Sequence, residues 1–185
     1  MNDFSPALLQ ALSGLKSLVV LAAGSPLRGD DAAGLLTAEE LEKHRPALPA
    51  APALHIFFGE TAPENFTGSI RALAPSHVLL IDAADMGQAP GYYRVLNPGP
   101  SAGAPGSTHK MPMQVLVDYI HKTIGSKVVI VGIQPGDTRF GSPVCPAVTA
   151  AVATLAADIA GVIKASAQVG PDVHTQAIAP FADRR

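Results

Sequence analysis

Apolar residues fall into short unbroken runs bounded by Gly, Pro, Ser or Asp: Ser17–Ala23, Ala53–Phe58, His77–Asp82 and Lys127–Ile133. Runs this short, and rich in Val, Leu and Ile, read as strands buried on both faces. Between them the apolar spacing becomes that of a helix. Leu35, Leu36 and Leu41 share a face after Asp31, and Val115, Leu116, Tyr119 and Ile120 face inward within Pro112–Ile124. Val148, Val152, Leu155, Ile159 and Val162 recur at helical spacing within Val144–Ile163. Pro63-Glu64-Asn65 opens a further helix to Leu73, because Pro is tolerated in a first turn and an acidic residue there suits the helix dipole. An amphipathic segment, Pro6–Leu15, precedes the first strand.

Strands alternating with helices predict an α/β fold in which a mostly parallel sheet is covered on both faces. Tyr92–Leu96 breaks the pattern. No helix fits between Asp82 and Tyr92, so a parallel crossover is excluded and the run is expected as an antiparallel edge strand. With 185 residues the chain fits one domain. The expected division is an N-terminal extension helix over 1–16, the domain proper over 17–165, and a polar, Pro-containing C-terminal tail over 166–185.

Hydrophobic residues make up 48% and charged residues 15%, the balance of a packed globule. A net charge of −2 offers nothing to draw nucleic acid or anionic lipid. The single cysteine, Cys145, excludes an internal disulfide and any Cys-rich metal site, and suits a reducing cytoplasm. Leu15–Ala23 is as short as a strand and is expected to be one rather than a signal peptide. The amphipathic spacing of Val144–Ile163 points to packing on a sheet rather than to membrane insertion.

Chemistry enters where strands should end. Asp30 and Asp31 follow the first strand, Asp82 ends a later one with Asp85 just beyond, and His109 lies in the Gly/Pro-rich loop Pro98–Lys110. Gly24–Gly34 has neither a dinucleotide-binding nor a Walker spacing, and two adjacent aspartates would repel a phosphate. Each residue also has a plainer reading: helix capping for Asp30 and Asp31, Asx-turns for Asp82 and Asp85, a solvated loop histidine for His109. Taken together, two carboxylates and an imidazole at one end of a sheet form a mixed oxygen and nitrogen set that suits zinc, nickel or manganese. Three ligands leave positions open for water or substrate. Cys145, between Pro143 and Pro146, has no basic neighbour in sequence to activate it, and no G-x-S-x-G elbow occurs.

Gly29-Asp30-Asp31, Ala62-Pro63-Glu64-Asn65, Asp82-Ala83-Ala84-Asp85-Met86-Gly87, Thr108-His109-Lys110-Met111-Pro112 and Gly132-Ile133-Gln134-Pro135 occur in that order. In these elements the chain resembles the hydrogenase maturation endopeptidases, and within them the hydrogenase 3 (formate-hydrogenlyase) branch. The resemblance implies a three-layer α/β/α domain with a five-stranded sheet. It places the metal-contacting and catalytic positions on Asp31, Asp82 and His109; Asp30 and Asp85, from the same segments as the two carboxylates, are candidates to orient a ligand or hold a water. It implies that nickel arrives bound to the substrate, a [NiFe]-hydrogenase large-subunit precursor whose C-terminal extension is removed, and that other divalent metals can occupy the site in vitro. The chain departs from the family in having Gly24-Ser25-Pro26 where Gly-Asn is usual, Ala32 where Gly is usual, and residues before the first strand. The altered loop is the one feature that supports another role, a metal-binding checkpoint or chaperone that does not cleave.

Overall fold

The computed structural model describes residues 3–96 and 113–168. The predicted C-terminal tail beyond Gln168 and the loop carrying His109 lie outside the described residues. Five strands, β1 (Ser17–Ala23), β2 (Ala53–Glu60), β3 (His77–Ala83), β4 (Tyr93–Leu96) and β5 (Lys127–Ile133), form one sheet in the order β2-β1-β3-β5-β4. The four long strands are mutually parallel, and β4 pairs antiparallel with β5 at the edge, as the short connection before it requires.

Helices cover both faces. On one side α1 (Phe4–Ala11), α2 (Ala33–His44) and α5 (Pro146–Gln168) bury Leu8, Leu41, Leu155 and Ile159 against Val20, Leu79, Ile81 and Val131. On the other, α3 (Thr67–Leu73) and α4 (Met113–Tyr119) bury Ile70 and Leu116 against Val19, Leu21, Val78, Leu80 and Ile130. Consecutive strand residues point to opposite faces, so the apolar runs are consumed by two separate cores. α4 continues as a π-turn over Ile120–Ile124, where a single α-helix was expected. The helix expected from Pro63 begins as a 3₁₀ turn, Pro63–Phe66, before α3.

The N-terminal segment is part of the core. Phe4, Leu8 and Leu12 are almost fully buried, and the Phe4 ring meets Tyr93 edge to face at 5.0 Å. Burying three such side chains contributes on the order of 6 kcal/mol. α5 has the length and composition of a membrane span, yet its Val148, Val152, Leu155, Ile159 and Val162 face is buried on the sheet and neighbouring helices.

Candidate active site

The sheet order locates a crevice. From β1 the chain moves outward to β2, then returns past β1 to form β3 on its other side. The C-terminal ends of β1 and β3 therefore border the point where connections diverge, the place where open α/β sheets bind ligands. The quoted elements among the described residues sit at strand exits: 29–31 follows β1, 62–65 follows β2, 82–87 spans the end of β3, and 132–135 spans the end of β5. Because these strands are parallel, all four lie at one end of the sheet.

Asp31 belongs to the 3₁₀ turn Gly29–Ala32 that leads into α2. Two glycines let this turn descend on the strand ends. A Cβ at Gly34 would stand 2.5 Å from the carbonyl oxygens of both Ala23 and Ile81, and one at Gly24 would collide with the Asp31 carbonyl oxygen. Gly24 also has a φ of +131°, which side-chain-bearing residues rarely adopt. The Asp31 side chain is half-buried and makes no hydrogen bond among the described residues. Neither the 3₁₀ turn nor α2 has a side-chain cap, so capping does not account for it.

Asp82 is the next-to-last residue of β3, one beyond the Ala22–Ile81 pairing with β1. It is half-buried, and its Oδ1 accepts the N–H of Ala83. By strand alternation it follows Val78 and Leu80 toward the α3–α4 face, whereas the Asp31 turn enters from the α2 side. The turn that carries Asp31 packs on β3, so both residues stand at the C-terminal end of the β1–β3 pair. Among the described residues no group of three His, Cys, Asp or Glu side chains is placed to hold a metal. The third expected ligand, His109, is outside them.

Asp30 does something other than hold a ligand or a water. It is fully buried, and its carboxylate accepts three backbone N–H groups: Gly136 at 2.8 Å and Asp137 at 3.0 Å on Oδ2, and Cys145 at 2.7 Å on Oδ1. Its own N–H donates to the Asp137 carbonyl at 2.8 Å. Burial pushes the Asp30 carboxyl up, and the hydrogen bonds from Cys145, Asp137 and Gly136 outweigh it, leaving the pKa below the ordinary aspartate value. Asp30 clamps the β5–α5 loop to the turn that carries Asp31.

Asp85 is exposed. Its Oδ1 accepts Gly87 N–H at 3.1 Å, an Asx-turn, and the Gln134 side-chain amide at 3.2 Å. The hydrogen bond from Gly87 and then that from Gln134 hold its pKa below the usual carboxylate value. Gln134 is the functional-end residue to which the sequence pattern attached no role. It is buried, its Oε1 accepts Met86 N–H at 2.6 Å and Gln88 N–H at 3.2 Å, and its Nε2 donates to Asp85 and to the Pro135 carbonyl. One side chain thereby ties the element after β3 to the element after β5. The signal in the sequence was its place in the element Gly132-Ile133-Gln134-Pro135, directly after an apolar strand. His77, by contrast, is buried at the far end of β3, where burial and then Lys127 push its pKa down.

A family model for hydrogenase maturation protease (HycI) matches residues 36–162, more than half of the chain. The chain belongs to the hydrogenase maturation protease family. It is 37% identical over 140 residues to the hydrogenase 3 maturation protease of Escherichia coli K12, spanning 74% of this chain and 85% of that one. It is 30% identical over 142 residues to a putative hydrogenase maturation protease of Methanocaldococcus jannaschii, spanning 75% and 82%. Among solved structures, the [NiFe] hydrogenase maturation protease HycI of Thermococcus kodakarensis superposes with a TM-score of 0.75 at 32% identity, covering 85% of this chain and 98% of that one. The crystal structure of the hydrogenase 3 maturation protease gives 0.64 at 36% identity, with 79% and 90% covered. This member of the hydrogenase maturation proteases is accordingly a peptidase with the fold of its family.

Proposed function

We propose that this peptidase is a cytoplasmic endopeptidase that removes the C-terminal extension of a nickel-loaded [NiFe]-hydrogenase large-subunit precursor. The observation that carries the reading is the pair of partly accessible carboxylates, Asp31 and Asp82, at the strand-divergence point of a hydrogenase maturation protease fold. Asp31 in particular keeps its carboxylate unengaged by the described residues, as a residue awaiting a ligand would.

Carboxylate oxygens and an imidazole nitrogen suit a borderline divalent ion. Asp31, Asp82 and His109 would complete the shell of nickel already held by the precursor, so the ion belongs to the substrate. That ion would serve these residues as a recognition point that docks the precursor, or would polarise the carbonyl of the bond to be hydrolysed. The chain's own contribution is positional. Gly24 and Gly34 seat the Asp31 turn on the strand ends, Asp30 locks that turn to the β5–α5 loop, and Gln134 holds the segment following Asp82.

Incubation of the purified protein with a nickel-loaded precursor, followed by intact-mass measurement, tests the proposal. The expected product is a large subunit shortened at its C-terminus. An unshortened precursor that nonetheless forms a stable complex would overturn cleavage in favour of the non-cleaving checkpoint.

A further inference from the structure

Beside the Asp31 turn runs an open groove of about 400 Å³ that no step above uses. Leu35 and Leu36 of α2, Phe58 at the end of β2, and Val144 of the β5–α5 loop give it apolar walls. Glu39 and Glu60 line it as well, and none of its lining residues is basic. Both glutamates and Phe58 are exposed.

The groove is continuous with the site. Ala32, which lines it, is the residue after Asp31, and the Glu60 carbonyl accepts the N–H of Gly24, whose Cα packs on the Asp31 backbone. β2 is an edge strand, so the groove opens at the margin of the sheet, where a chain can enter in extended form. A volume within the usual range for ligand pockets, apolar walls and two like charges without a counter-ion among the described residues define complementary chemistry.

We infer that this groove docks an extended apolar segment bearing Lys or Arg, supplied by the precursor beside the bond that is cut. The inference rests on the proposed cleavage of a precursor and adds its charge preference. Glu39 and Glu60 select positive side chains on the segment, while Leu35, Leu36 and Phe58 take the apolar ones. Because both glutamates are exposed, the selection weakens as salt rises.

The test separates docking from cleavage. Fluorescein-labelled hexapeptides alternating valine with lysine, or valine with glutamate, are titrated against the whole chain at low salt and followed by anisotropy. The lysine peptide is expected to bind at least tenfold tighter, and a Glu39→Lys/Glu60→Lys double variant to invert that preference. Equal binding of both peptides, no binding of either, or a preference unaltered in the double variant would each overturn the inference. In the precursor assay, the milder Glu39→Gln/Glu60→Gln variant is expected to raise KM about tenfold at unchanged kcat. An unchanged KM overturns the groove and leaves cleavage standing. If the native chain does not cut the precursor, the cleavage reading fails and the peptide titration still decides the groove. Sedimentation showing self-association that the charge reversals abolish would assign the groove to a second copy, and so overturn the inference too.

Discussion

The carboxylate of Asp30 receives the backbone N–H of Cys145 at 2.7 Å across 115 residues of sequence. With Gly136 and Asp137 as further donors, one buried side chain closes the loop after β5 onto the turn after β1. The neighbouring Asp31 is half-buried and takes no part in that clamp. Two adjacent aspartates thus divide into a structural anchor and a carboxylate without a hydrogen-bond partner among the described residues.

Asp30→Ala leaves three backbone donors without their acceptor and is expected to cost about 3 kcal/mol, roughly 10 °C in Tm for a chain of this size. Asp30→Asn keeps an acceptor on one side only and should cost less. The folded pKa of Asp30 is depressed, so its contribution is complete above the unfolded value of about 4 and is lost as pH falls through the lower folded value. Denaturant titrations from pH 6 down to pH 3 should therefore show the gap between native and Asp30→Asn proteins narrowing as the pH drops below about 4. A gap that widens on acidification would contradict the clamp.

Gln134→Ala is expected to speed amide hydrogen exchange at Met86 and Gln88 and to lower stability by about 2 kcal/mol, because their shared acceptor is gone. Gln134→Glu keeps that acceptor but cannot donate to Asp85 and sets a second negative charge beside it. It should raise the Asp85 pKa relative to the native protein, read by carboxyl NMR titration. Unchanged exchange at Met86 in the alanine variant would show that the loop is held by other means.

Asp31→Asn, Asp82→Asn and His109→Ala are each expected to cut precursor processing by a hundredfold or more, with Tm within a few degrees of the native protein. Cys145→Ser should remain nearly fully active, since the bond to Asp30 comes from the backbone. If nickel travels with the substrate, elemental analysis of the purified protein should find it largely metal-free. A nickel-free precursor should then resist cleavage. Efficient cutting of that precursor in chelator would exclude the nickel requirement.

Gly34→Ala brings a methyl group to within 2.5 Å of two carbonyl oxygens and should cost about 2–3 kcal/mol. Since α2 must lift from the ends of β1 and β3, the Asp31 turn moves with it. Activity is expected to fall more steeply than the loss of stability alone would dictate, measured on folded protein well below its Tm.

The strands, their parallel sense, the antiparallel β4 and the carboxylates at strand ends were legible in the sequence, because each depends on local spacing or connection length. The apolar runs determine which segments are strands, and the short gap between Asp82 and Tyr93 leaves no room for a crossover helix. What sequence could not decide was the division of labour at the site. Asp30 and Asp31 are the same residue type side by side, and only the path of the 134–145 loop determines which one is enclosed. Gln134 likewise acquires its role from Asp85, Met86 and Gln88, more than forty residues away. The burial of the N-terminal helix was hidden for the same reason: Phe4 and Leu8 become core only because Tyr93 and α5 fold beneath them. Local periodicity writes the elements into the chain, whereas contacts between distant segments arise from how those elements pack, and they assign the side chains their tasks.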